Sequence, residues 1–355
     1  MKNLIIIFIS FISAFTLSAQ DQQIEKINLL LNSTIEDTHP GLGIGIVKDG
    51  AIIYERYKGL SNLQHQIPFS PKTRSNIAST AKQFTALMIL ELSLDQKLDL
   101  EEDFRKYFPN LYPEVKEEIK IRHLINHTSG IQEYVDLLAD EGPVWWKRVG
   151  LKNNDIIDLL EQQKNLAFKP GSNYEYSNSN YIILAMIIEK VTGVAFNDYS
   201  NDFFKNMGMI ETAFVKRYME VIPNRANPYS DWGRGEWWET PTVTKTNGDG
   251  FLYTTLKDQL IFEQKLQSID DEDHLLKISQ APIPNSEISF YGFGLKLNDR
   301  LNRRAIHHDG ATYGFHAQTL RFPEEKLTIF IISNNGNIRS DLLADEIARY
   351  LLAKE

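Results

Sequence analysis

Strand-like alternation is confined to the two ends of this chain, and the residues between them read as helices and loops. Leu42-Gly43-Ile44-Gly45-Ile46-Val47 alternates with period two, and so does Ala51 to Tyr57. Lys48-Asp49-Gly50 between them is a tight-turn signal, so a β-hairpin is expected. Near the C-terminus, Phe290 to Leu297, His316 to Phe322 and Leu327 to Ser333 read as three strands, with Pro323-Glu324-Glu325-Lys326 turning between the last two. In the middle, Ser79 to Leu92 lacks Gly and Pro and reads as a buried helix. Asn154 to Gln162 reads as a capped amphipathic helix, and Tyr181, Leu184, Ala185 and Ile188 recur at helical spacing until Gly193. Ile24 to Leu31 and Asp341 to Lys354 are further helices near the two ends. The simplest architecture is an α/β (α+β) fold: one antiparallel sheet flanked by helices, formed from both chain ends, with an inserted helical subdomain. A chain of 355 residues is above the size, roughly 250–300 residues, at which single cores tend to divide. The expected division is an α/β part of about 20–75 plus 245–355 and a helical part of about 76–244.

The first residues read as a leader. Met1-Lys2-Asn3 carries a positive charge, Leu4 to Phe15 is almost wholly apolar, and Leu17-Ser18-Ala19 offers a small residue before Gln20. This is the pattern of a signal peptide over 1–19, with the mature domain spanning 20–355. An uncleaved anchor is the alternative, but the apolar run is shorter than the roughly 20 residues of a spanning helix. The chain has no cysteine, which excludes a disulfide framework, a thiolate metal site, a Cys nucleophile and a lipidated N-terminal Cys. An exported protein without cysteine fits a bacterial periplasm, so a secreted, periplasmic location is expected. A net charge of −9 argues against a nucleic-acid partner.

Three clusters carry chemistry. Ser79-Thr80-Ala81-Lys82 places an amine and a hydroxyl three residues apart on one helix face. A serine hydroxyl needs a neighbouring base, and a lysine serves when burial lowers its pKa. Lys82 opens an apolar run, Phe84 to Leu90, so it stands at the mouth of a core helix where it needs a partner or a function. Alone, Ser-x-x-Lys is a weak signal, and the plainer reading is an N-cap serine with a solvated lysine. Tyr176-Ser177-Asn178 follows Lys169-Pro170-Gly171 in a loop that runs into the next helix. There a tyrosine relays protons and an asparagine holds both an amine and a carbonyl; the plainer reading is a packing Tyr beside a helix cap. His307-His308-Asp309-Gly310-Ala311 lies on a late strand, with His308 and Gly310 on one face and Asp309 on the other. Gly310 admits a substrate backbone at the strand edge, and a backbone N–H here suits an oxyanion hole. His-His-Asp also reads as a metal site or a polar turn, but neither His-Glu-x-x-His nor His-x-His-x-Asp-His occurs.

In this order the three clusters form a joint signal, and the sequence closely resembles the serine β-lactamase and penicillin-binding hydrolase family, in its class C-like branch. Pro40-Gly41-Leu42-Gly43, Ile77-Ala78-Ser79-Thr80-Ala81-Lys82, Asn126-His127-Thr128-Ser129-Gly130-Ile131, Phe168-Lys169-Pro170-Gly171, Tyr176-Ser177-Asn178, Gly248-Asp249-Gly250 with Thr254-Thr255, and His308-Asp309-Gly310 carry the resemblance. It implies a β-lactamase/transpeptidase-like fold and a secreted serine hydrolase that forms an acyl-enzyme. It implies Ser79 as nucleophile, Lys82 and Tyr176 sharing general-base and relay duty, and Asn178 binding Lys82 and the substrate amide. The N–H groups of Ser79 and Ala311 match an oxyanion hole, and His127 and Gly130 match a structural turn. The implied substrates are D-amino peptides of peptidoglycan type, β-lactams and small esters, with no metal and no cofactor. Where class C β-lactamases carry Lys-Thr-Gly this chain has His308-Asp309-Gly310, so His308 is expected to touch a substrate carboxylate or the Tyr176 hydroxyl and to make activity pH-dependent.

Two other readings compete. One is a non-catalytic penicillin-recognising or sensor module, which loss of a catalytic group would favour. The other is a Ser-His-Asp hydrolase, which expects a Gly-x-Ser-x-Gly elbow that this sequence lacks. Trp145-Trp146, Trp232 and Trp237-Trp238 read either as an aromatic substrate wall or as loop packing.

Overall fold

The computed structural model describes residues 20–140, 149–241, 245–268, 281–282 and 290–353. The leader over 1–19 and the pair Trp145-Trp146 lie outside them.

Helix α1 covers residues 20–34. The expected hairpin follows as β1 (Leu42–Lys48) and β2 (Ala51–Lys58). After the helical stretch, β3 (Ala281–Pro282), β4 (Phe290–Gly292), β5 (Leu295–Arg300), β6 (Arg303–Thr312), β7 (Phe315–Phe322) and β8 (Leu327–Ser333) complete an eight-stranded sheet. The spatial order is β3-β4-β5-β6-β7-β8-β1-β2, and every neighbouring pair is antiparallel. Both chain ends therefore meet at the β1–β8 seam, where Gly45 pairs with Phe330.

One strand reading changes, and another is extended. The expected single strand over Phe290 to Leu297 is a hairpin, because Phe293 and Gly294 take φ of 49° and 76° and turn the chain back. The segment around His308 is a ten-residue strand in its own right, paired on both sides.

The alternation of β1 has a direct packing cause. Leu42, Ile44 and Ile46 face a core formed with α1 and with α9 (Ser340–Leu352). Gly43 and Gly45 face α8 (Leu256–Ser268), and a Cβ on Gly45 would lie 2.5 Å from Leu260 Cδ2. The larger core on this second face includes α2 (Lys82–Leu94), α3 (Ile121–Ile125), α4 (Tyr134–Asp140), α5 (Asn153–Glu161), α6 (Asn178–Thr192) and α7 (Phe196–Asn206). The expected helix at Ser79 begins instead with a 3-10 turn, Ala78–Ala81, and only Lys82 opens α2. Gly193, at φ 70°, ends α6.

Candidate active site

The 3-10 turn sits where α2 meets the sheet. Ala78 takes φ of 47°, an uncommon value for a residue with a side chain, and its N–H is held by Asn76 Oδ1 at 2.8 Å. Strand β6 presses directly on this turn. A Cβ on Gly310 would stand 2.4 Å from Ile77 O, 2.9 Å from Thr80 Oγ1 and 3.0 Å from Ser79 N. Glycine at this position is what allows β6 to lie against the Ser79 backbone. Ser79 opens on a cleft of about 160 Å³ that is also lined by Tyr134, Asn178, Asp249, Phe251 and Ala311.

Beneath Ser79, Lys82 is wholly buried. Its Nζ donates to Ser79 Oγ at 3.2 Å, to Asn178 Oδ1 at 2.7 Å and to the Asp249 backbone carbonyl at 2.6 Å. Burial pulls its pKa down to about 8, against the opposing charges of Asp249 and then Glu133. Lys82 thus carries a usable fraction of neutral amine near neutral pH. Tyr176 is part-buried as a residue, but its hydroxyl is buried and has no well-formed hydrogen bond. Burial pushes that hydroxyl well above its ordinary value, and the nearby Ser79 offsets only part of the effect. The Lys82 amine lies 5.0 Å from the centre of the Tyr176 ring.

Asn178 is the first residue of α6, and Glu133 fixes it there. The Glu133 carboxylate accepts the Asn178 side-chain amide at 2.9 Å and its backbone N–H. Asp249 is buried, with Oδ2 taking Tyr134 Oη and Thr246 Oγ1, both at 3.3 Å. Burial raises its pKa and Lys82 opposes that rise.

His308 departs from expectation. It is 2% exposed, and its Nε2 meets the Tyr291 hydroxyl at 3.1 Å, not Tyr176. Burial, aided by the charge of Lys296, pulls its pKa down to about 3, so the ring is neutral through the physiological range. A neutral ring supplies no charge for a substrate carboxylate, and its titration imposes no pH dependence near neutrality. The charged group of this segment is Asp309 on the opposite face, paired with Lys296 at 2.5 Å. His127, also neutral through burial, accepts Ser177 N–H at 3.1 Å and packs 4.4 Å from the Tyr176 ring, which holds the Tyr176 loop in place.

The structure therefore brings Ser79, Lys82, Tyr176, Asn178, Gly310 and Ala311 together, with His308 behind them. Sequence reasoning assigned no role to Glu133, Tyr134, Asp249 or Tyr291. Glu133 was readable only as a carboxylate two residues after the Asn126–Ile131 signature. Trp237 packs on His39 with ring centres 5.4 Å apart, and Trp232 and Trp238 are exposed; among the described residues the aromatic side chains lining the cleft are Tyr134, Phe251 and Tyr313. Among the described residues no group of three or more His, Asp or Glu is placed to hold a metal, and no single helix is long and apolar enough to cross a membrane.

Comparison with known proteins agrees with this geometry. The Beta-lactamase family matches residues 27–353, and the chain belongs to that family of serine β-lactamases and penicillin-binding proteins. It is 28% identical to penicillin-binding protein 4* of Bacillus subtilis over 86% of this chain and 70% of the relative. It is 26% identical to the D-aminopeptidase of Gluconobacter oxydans over 83% of this chain, and it spans only 56% of that relative's length. The octameric penicillin-binding protein homologue from Pyrococcus abyssi has the same fold, with a TM-score of 0.79 at 24% identity over 98% of this chain and 78% of that one.

Proposed function

We propose that this chain is an exported serine hydrolase that cleaves an amide or ester bond through an acyl-enzyme on Ser79. The observation that carries the reading is the wholly buried Lys82 amine, 3.2 Å from Ser79 Oγ, with its pKa drawn down to about 8. In this reading neutral Lys82 takes the Ser79 proton as Oγ attacks the substrate carbonyl carbon. The N–H groups of Ser79 and Ala311, both residues of the cleft lining, receive the oxyanion. Tyr176, protonated at neutral pH, gives its proton to the leaving nitrogen or oxygen and is reprotonated from Lys82. Water then releases the acyl group. Gly310 serves by its lack of a side chain, and Asn178 holds the amine. His308 acts through Tyr291 in shaping this wall of the site.

The relatives named D-aminopeptidase and penicillin-binding protein favour a D-amino peptide as substrate, with a β-lactam as its mimic. A sensor module without catalysis would not need all four polar side chains kept within reach of each other. The test is to incubate the mature chain with a penicillin and, separately, with an activated ester, and to follow intact mass beside Ser79→Ala. An adduct or turnover that needs Ser79 supports the reading. Equal behaviour of the alanine variant contradicts it. Export is tested by the mass of the protein recovered from the periplasm, which should begin at Gln20.

A further inference from the structure

Glu133 takes no part in the chemistry above, yet its part-buried carboxylate lies against it. It lies just before α4 and meets the first turn of α6. Oε1 accepts the Asn178 side-chain amide at 2.9 Å, while Oε2 accepts the backbone N–H of Asn178 and, at 3.4 Å, that of Ser179. The two segments are laced together further. Ser179 Oγ donates to Gln132 O at 2.8 Å and accepts Tyr134 N–H at 2.8 Å.

An asparagine amide has a donor end and an acceptor end, and a flip exchanges them. With a carboxylate on one side, only Nδ2 can face Glu133. Oδ1 must then face Lys82, where it lies 2.7 Å from Nζ. The flipped amide would set N–H against ammonium and carbonyl against carboxylate, two repulsive contacts in a buried site.

We propose that Glu133 is a positioning residue for the Ser79 site, locking the Asn178 carbonyl onto Lys82 and laying a negative charge beside that amine. This rests on the reading of Lys82 as the proton acceptor. The charges around Lys82 come from every element packed on it. Asp249 and then Glu133 favour the ammonium, and Lys296 opposes it. His127 and His308 are neutral, and the Tyr176 and Tyr181 rings lie 5.0 and 5.6 Å from the amine. Burial raises the pKa of Glu133, while its Asn178 bonds and Lys82 hold it toward the carboxylate. Removing that charge leaves the ammonium with one supporter fewer, so the Lys82 pKa falls further.

The test measures kcat/KM against pH for an activated ester in Glu133→Gln and Glu133→Asp, with thermal melts of each. In Glu133→Gln the acidic limb should move down by about one pH unit, with a loss of roughly tenfold at the plateau from the disordered amide. Glu133→Asp keeps the charge but withdraws it by one methylene, so its limb should stay in place while the rate falls. A folded Glu133→Gln whose limb does not move overturns the proposal, since a merely structural cap would lower the rate at every pH alike. If Glu133→Gln does not fold, a fully active Glu133→Asp overturns it. Ser79→Ala run in parallel separates the two readings. Turnover surviving in that variant defeats the Ser79 mechanism itself. Turnover lost there with an unmoved limb in Glu133→Gln defeats only the role of Glu133.

Discussion

Gly310→Ala is the smallest change that should break this site. The added Cβ would fall 2.4 Å from Ile77 O, the carbonyl that opens the Ser79 turn. Carbon and carbonyl oxygen settle at about 3.3 Å or more, so strand and turn must separate by roughly 1 Å. The turn has little room to yield, because Thr80 Oγ1 and Ser79 N crowd the same point at 2.9 and 3.0 Å. A displacement of about 1 Å between reacting groups costs on the order of a hundredfold in rate. The overpacking itself should destabilise the fold by about 1–3 kcal/mol. The assay is single-turnover acylation by an activated ester, paired with a thermal melt. The expected result is an acylation rate reduced about a hundredfold in a protein that still melts cooperatively. Ala311→Gly, which adds no atom, should be tolerated far better. An acylation rate within about twofold of the parent would refute the argument, because the turn and strand would then not be in the close contact described here.

Two further outcomes follow from the charges. Lys82 must be neutral to accept a proton, so kcat/KM should rise with pH through a limb near pH 8, the value to which burial pulls its amine. His308, with a pKa near 3, should add no step between pH 5 and 7, and a pH–rate profile with a histidine limb there would contradict its buried, neutral state. Away from the cleft, Arg321 of β7 meets Glu263 of α8 at 2.6 and 2.7 Å and also Gln83 of α2 at 2.7 Å, all buried. Glu263→Ala removes the buried carboxylate that meets the Arg321 guanidinium and should cost about 3–5 kcal/mol, read as a lowered urea midpoint with an unchanged m-value.

Much of this site was legible because its chemistry is local. Ser79 and Lys82 are three residues apart, and Tyr176 and Asn178 two, so each pair is close in sequence, and their order along the chain carried the family resemblance. The β1–β2 hairpin was legible for the same reason. What escaped depends on contacts remote in sequence. Glu133 reaches Asn178 across 45 residues, and nothing in its immediate neighbours signals that partner. His308 reads in sequence as a titrating contact to a substrate carboxylate or the Tyr176 hydroxyl, because a sequence shows a titratable ring but not its burial. Its partner Tyr291 comes from the neighbouring hairpin, whose turn at Phe293-Gly294 was concealed in what read as one continuous strand. The 3-10 geometry of the Ser79 turn was hidden likewise, since it goes with the φ of 47° at Ala78 and the close approach of β6 at Gly310, neither of which local spacing reveals.

The central claim is that Ser79 is acylated with Lys82 as its base. The most direct measurement is a rapid-quench reaction with an activated ester, followed by peptide mapping of the trapped adduct in the parent, Ser79→Ala and Lys82→Met chains. One acyl group on the peptide bearing Ser79 is expected in the parent, none in Ser79→Ala, and only slow accumulation in Lys82→Met. An adduct on another residue, or the same rate of acylation without the lysine, would contradict the account.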